Sequence, residues 1–234
     1  MLDILGAIGL AASATVVIAV PAAFYLRRPG RWWILAAHVA WLAAIVAIVG
    51  SGVLNLNPKL GSPLVGILFF VPVIAISWAA LRNEALRTAL SEIPLAALIA
   101  THTLRILGML FVLLYAAGRL PAPFAPTAGG GDVIAGALAP VAAIVVARGA
   151  SGARGLALLW NAFGILDLVT AVGLGVTSAA GSPLQIFHGP IDTAAMGTLP
   201  WALIPTFLVP NLFIGHLAIF RRLGRSTSLE LKAA

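Results

Sequence analysis

The chain has 234 residues, 61% of them hydrophobic and only 9% charged, with a mean hydropathy of +1.07. Soluble domains carry roughly 45–50% apolar and about 25% charged residues, so a soluble enzyme and a disordered tail are excluded. With no cysteine, so are a disulfide scaffold and any thiolate chemistry. The formal charge of +7 fits the accumulation of Lys and Arg in the cytoplasmic loops of membrane proteins. No nucleic-acid partner is therefore expected, and the lipid bilayer is. The fold class these numbers imply is all-α, a polytopic integral membrane protein.

A bilayer core of about 30 Å needs roughly 20 apolar residues in a helix. On that measure the chain holds seven candidate transmembrane helices, near 4–25, 32–51, 62–81, 94–118, 132–148, 156–178 and 199–220. Gly, Pro, Ser or Arg bounds each of them. The first is not a cleavable signal, because Met1-Leu2-Asp3 carries no positive charge and the basic cluster Arg27-Arg28-Pro29-Gly30-Arg31 follows the apolar run. That order places the amino terminus outside. With seven crossings, Arg27, Arg28, Arg31, Arg82, Arg87, Arg148, Arg154, Arg221, Arg222, Arg225 and Lys232 fall inside, and only Lys59 and Arg119 outside. The carboxyl terminus is then cytoplasmic. Residues 1–225 read as one seven-helix domain and 226–234 as a short cytoplasmic tail. The expected location is a bacterial-type cytoplasmic (inner) membrane.

Between the fourth and fifth spans, residues 119–131 read as an outer Pro/Gly turn region, after which Asp132 stands where a helix N-cap belongs. Residues 179–198 form the longest loop, with Gln185, His188 and Asp192 exposed to water.

An ionisable residue inside a membrane is expensive, about +2.5–3.5 kcal/mol on insertion scales, and marks a functional site by default. In the fourth span Thr101, His102 and Arg105 share one helical face, continued by Gly108. In the sixth, Trp160, Gly164, Asp167, Ala171 and Gly175 form one stripe with Asn161 at its edge, a tight packing face that carries a carboxylate. At about 1.5 Å per residue, Arg105 and Asp167 reach similar depths near the midplane and read as its only opposite charges. They are expected to pair, as a structural staple or as part of a ligand site. In the seventh span, Pro205 and Pro210 should free the carbonyls of Trp201 and Thr206, and Asn211 and His216 follow. Broken helices of this kind build midplane sites in transporters.

The leading expectation is a protein that binds or transports a small anionic or amphipathic molecule through a polar site between helices four, six and seven. Its residues would be His102, Arg105, Asn161, Asp167, Asn211 and His216. One alternative is a metal-dependent intramembrane hydrolase or b-haem protein that uses His38, His102 and His216. These sit on three separate helices at different depths, however, and zinc needs ligands within about 2.0–2.3 Å of one point. Gly129-Gly130-Gly131-Asp132 formally matches the GxGD pattern of intramembrane aspartyl proteases, but Asp132 at a loop end would lie half a membrane from Asp167. Another alternative is a structural or accessory subunit, because Ala36, Ala40, Ala43 and Ala47 offer a small-residue face for association within a chain or between copies in an oligomer. No cofactor and no metal ligand set is assigned.

Overall fold

The computed structural model describes residues 1–56 and 58–225, without the side chains of 58–60, 62 and 225. The tail 226–234 with Lys232, and the side chain of Lys59, lie outside the described residues. All regular structure in the described residues is helical: α1 (Leu2–Tyr25), α2 (Trp32–Gly50), α3 (Pro58–Arg82), α4 (Glu84–Glu92), α5 (Leu95–Thr101), α6 (Met109–Ala116), α7 (Phe124–Ala147), α8 (Ala153–Thr177) and α9 (Val209–Arg225). Seven helical segments are long and apolar enough to cross a membrane, the fourth running through α5 and α6 and the seventh starting at Ile204. The expected spans are thus found, with adjusted ends.

The largest adjustment is the fifth span. Its helix begins at Phe124, eight residues before the expected start. The segment 124–131, read above as part of a Pro/Gly turn region, is its first two turns. Pro126 falls where helix N–H groups have no intrahelical partner, so it breaks nothing. The glycines are there for close packing. A Cβ on Gly129 would lie 2.7 Å from the Gly108 carbonyl oxygen. One on Gly131 would collide with the Asp167 carboxylate. Asp132 is therefore no N-cap but a buried mid-helix residue, and the expected half-membrane separation from Asp167 does not exist.

The fourth span changes its winding. Residues His102–Gly108 form a 3₁₀ segment between α5 and α6. Because i and i+3 eclipse in a 3₁₀ helix, His102, Arg105 and Gly108 stack on one edge, and all three are buried. The seventh span opens with a π-helical turn, Ile204–Leu208. The Trp201 carbonyl expected to be free accepts the Ile204 N–H at 3.0 Å. The Thr206 hydroxyl donates to the Ala202 carbonyl at 2.6 Å and the Asn211 amide to that of Phe207 at 2.8 Å. The Trp201 carbonyl is thus met by a backbone N–H, and the two side chains add hydrogen bonds to neighbouring carbonyls of the irregular turn.

Two apolar clusters divide the interior. One gathers Leu10, Leu114, Ala125, Trp201 and Phe207; the other gathers Ile34, Ile99, Ala142, Trp160 and Ile219. Asp3, Arg119 and Trp201 are hydrogen-bonded together at the first end, whereas Glu92 pairs with Arg28 (3.3 Å) and Arg31 (2.6 Å) at the second. Helix α7 packs against the 3₁₀ segment on one side and α8 on the other.

Close approach at α7 can be tested by volume. A Cβ on Gly136 would lie 2.5 Å from the Ile106 nitrogen, whereas one on Gly130 meets nothing within 4 Å. Gly136→Ala should destabilise the purified protein by about 1–3 kcal/mol through overpacking. Gly130→Ala should leave it unchanged or stabilise it by up to about 1 kcal/mol through helix propensity. Thermal unfolding of both variants in detergent checks the difference, and equal midpoints would contradict the packing described.

Candidate functional site

Between the two apolar clusters lies a polar layer with Arg105 at its centre. Its side chain is completely buried. Nε donates to Asp132 Oδ1 at 2.7 Å, Nη2 donates to Asp167 Oδ2, and Nη1 donates to the Gly164 carbonyl at 2.9 Å. Nη1 also faces His216 Nε2 at 3.1 Å. A guanidinium has five N–H donors and no acceptor, so His216 Nε2 must be the acceptor. The imidazole proton is then on Nδ1, which faces Asn161 Oδ1 at 2.7 Å. Asn161 in turn donates through Nδ2 to the His216 carbonyl at 3.1 Å, which fixes both the amide orientation and the tautomer.

Glycines make this crowding possible. A Cβ on Gly164 would lie 2.5 Å from His216 Cε1 and 3.0 Å from Arg105 Nη1. Of the residues expected at the site, the structure brings Arg105, Asn161, Asp167 and His216 into one network. The pairing of Arg105 with Asp167 is present. Asp132 was missed, because the Gly-rich stretch before it carries a turn signal that conceals a packing face.

The other two expected residues face a separate space. A cavity of about 410 Å³ opens among α1, α2, α3, α4, α5 and α9. His102 and Asn211 line it, together with His38 and Thr101. Asn211 Oδ1 accepts from His38 Nε2 at 2.7 Å, so Asn211 joins α9 to α2 and not to Arg105. His102 lies ring against ring with His216, centroids 4.0 Å apart, and edge-on to Trp160. It is 1% exposed, and its Nδ1 has no hydrogen-bond partner. A second cavity of about 270 Å³, walled by Phe69, Phe111 and Phe124, occupies the other half of the bundle. A gap of about 40 Å³ beside Arg105 and Asp132 lies between the two.

His102 and His216 do not fit a haem between them. No group of three His, Asp or Glu side chains among the described residues is placed to hold an ion. Both nitrogens of His216 are engaged, and its ring lies against that of His102 with no space for a porphyrin between them. Each carboxylate is likewise held by its own guanidinium nitrogen, an ion triad in place of a protease dyad, which shares one proton.

A family model described as a domain of unknown function (DUF8737) matches residues 62–224. The chain belongs to that family. The DUF8737 region contains Arg105, Asp132, Asn161, Asp167 and His216 entire, whereas His38 and the first two spans lie before it. No curated protein and no solved structure matches the chain.

The triad predicts an unusual order of stabilities. Removing one partner of a buried ion pair costs about 3–5 kcal/mol, because a charge is stranded. Arg105→Gln strands two carboxylates and should be the most damaging single change at the network. Adding Asp132→Asn and Asp167→Asn to it should recover much of the loss. Asp167→Asn alone should be milder, because Arg105 keeps Asp132. Folded yield and thermal midpoint in detergent rank the variants, and a triple variant no more stable than Arg105→Gln would refute the assignment.

Proposed function

We propose that this multi-pass membrane protein binds a small molecule within the membrane, in the cavity among α1–α5 and α9, and that the Arg105 network is the rigid wall behind it. One observation carries the reading: His102, a buried imidazole with an unpartnered nitrogen, lines a space of the size that takes small ligands. Buried polar atoms nearly always have partners, so an exception calls for a cause. Ligand sites are typically apolar cavities of about 300–1,000 Å³ with a few placed polar groups, and this one is apolar apart from Tyr25, His38, Thr101, His102 and Asn211.

The expected site between helices four, six and seven is thereby divided. Arg105, Asp132, Asn161, Asp167 and His216 satisfy one another and form the structural core. His102 and Asn211, with His38 from outside the expected set, face the ligand. The self-contained network also removes the reason to favour an anionic ligand, because the guanidinium that would bind one is already occupied.

Gentle purification followed by mass spectrometry of extracted small molecules tests the reading. A compound should accompany the wild-type protein at near-stoichiometric level and raise its thermal midpoint when added back. Ala218→Phe, which fills the cavity from α9, should lose the compound while remaining monodisperse. Equal content of every extractable molecule in both proteins would overturn the proposal.

A further inference from the structure

The chemistry of the cavity wall narrows the occupant. No Asp, Glu, Lys or Arg among the described residues lines it. Charges on the surrounding elements are engaged, Arg105 with its two carboxylates, Glu92 with Arg28 and Arg31 and Arg222 with the Ile93 carbonyl. A charged ligand would enter without a counter-charge, and an unpaired ion in an apolar site is strongly disfavoured.

The polar side chains that line the space include donors, on Tyr25, Trp33 and Trp41, and acceptors as well. Asn211 donates through its amide nitrogen to Phe207, so its oxygen is the acceptor and His38 Nε2 the donor. Neutral His38 then keeps a lone pair on Nδ1. The Thr101 hydroxyl has given its hydrogen to the Ala97 carbonyl at 2.9 Å, so only its lone pairs remain. The His102 ring lines the space as well, and its Nδ1 is buried with no hydrogen-bond partner. Such a set matches a head group that can both donate and accept, as a hydroxyl does.

The cavity also reaches the outer surface of the bundle. Trp33, 39% exposed, lines it from α2, and Ala75, also exposed, lines it from α3. The rest of the wall is largely apolar, with Pro72, Ile76, Leu98 and Leu212 among its residues. A molecule dissolved in the hydrocarbon can therefore enter from the side without crossing water.

Resting on the binding reading above, we infer that the occupant is a neutral amphiphile, a hydrocarbon with a hydroxyl-type head, which reaches the cavity from the bilayer and seats that head among the polar side chains around His38, Thr101 and His102.

Photo-crosslinking decides this. The full chain in phosphatidylcholine nanodiscs is irradiated with diazirine-bearing dodecanol, dodecanoate or dodecylamine, and adducts are mapped by peptide mass spectrometry. The alcohol should label residues 33–41 and 211–218, and the two charged probes should label them about tenfold less or weaker still. His102→Leu should lower alcohol labelling about tenfold, whereas His102→Gln, which keeps a polar group there, should retain a substantial part. Equal or stronger labelling of these segments by dodecanoate or dodecylamine would overturn the neutral class while leaving the cavity as a binding site. Labelling by all three probes confined to other lipid-facing positions would overturn the binding site as well. Should His102→Leu fail to fold, the comparison of the three probes on the wild-type chain still decides the class.

Discussion

A guanidinium cannot stay in hydrocarbon without partners, and the middle of this bundle is organised by that requirement. Arg105 has five donors, and four are met by Asp132 on α7, by Asp167 and the Gly164 carbonyl on α8, and by His216 on α9. Four helical spans are thus tied through one side chain. Buried ion clusters add little net stability relative to an apolar filling, but they penalise alternative arrangements that break them. In a membrane, where apolar helix faces are interchangeable with lipid, such a cluster sets which faces meet.

The local backbone follows from the same demand. An α-helical fourth span would rotate Arg105 about 60° away from His102 over three residues. The 3₁₀ winding instead stacks His102, Arg105 and Gly108 in one line. Each then meets a different neighbour: His102 the cavity and the His216 ring, Arg105 the two acids, and Gly108 the close face of α7. The small residues of α7 and α8 are the other half of the arrangement. A guanidinium and two carboxylates fit between helices only where Gly131, Gly136 and Gly164 leave out their side chains.

Hydropathy made the seven spans legible in the sequence, because an apolar run of membrane length has few other uses. The cost of a buried charge made Arg105 and Asp167 legible as partners. Asp132 was hidden for a physical reason: Pro and Gly upstream of it are turn formers in water, yet in a tightly packed membrane helix they are the residues that allow contact. The π-turn of the seventh span was visible as a break, from Pro205 and Pro210. The shift that lets the Ile204 N–H meet the Trp201 carbonyl was not, since it depends on how the turn winds. The pairing of His38 with Asn211 joins residues 173 positions apart, and neutral partners impose no charge penalty from which their contact could be deduced.

The division of labour between the two polar groups explains why the cavity exists at all. A satisfied network is rigid and keeps α7, α8 and the middle of the fourth span together. The spans outside it are held differently. Helices α1 to α4 close around the cavity through apolar contacts and through Glu92 with Arg28 and Arg31 at the end of α4. Because Leu86, Leu90 and Ile93 line the cavity while Glu92 is fixed to the segment that joins α1 to α2, the amphipathic helix α4 covers one end of the space. The charges therefore sit around the cavity and not in it. Had Arg105 lacked both acids, it would have been free to attract an anion into the bundle. With both in place, the polar groups that line the cavity are imidazole, indole, amide and hydroxyl.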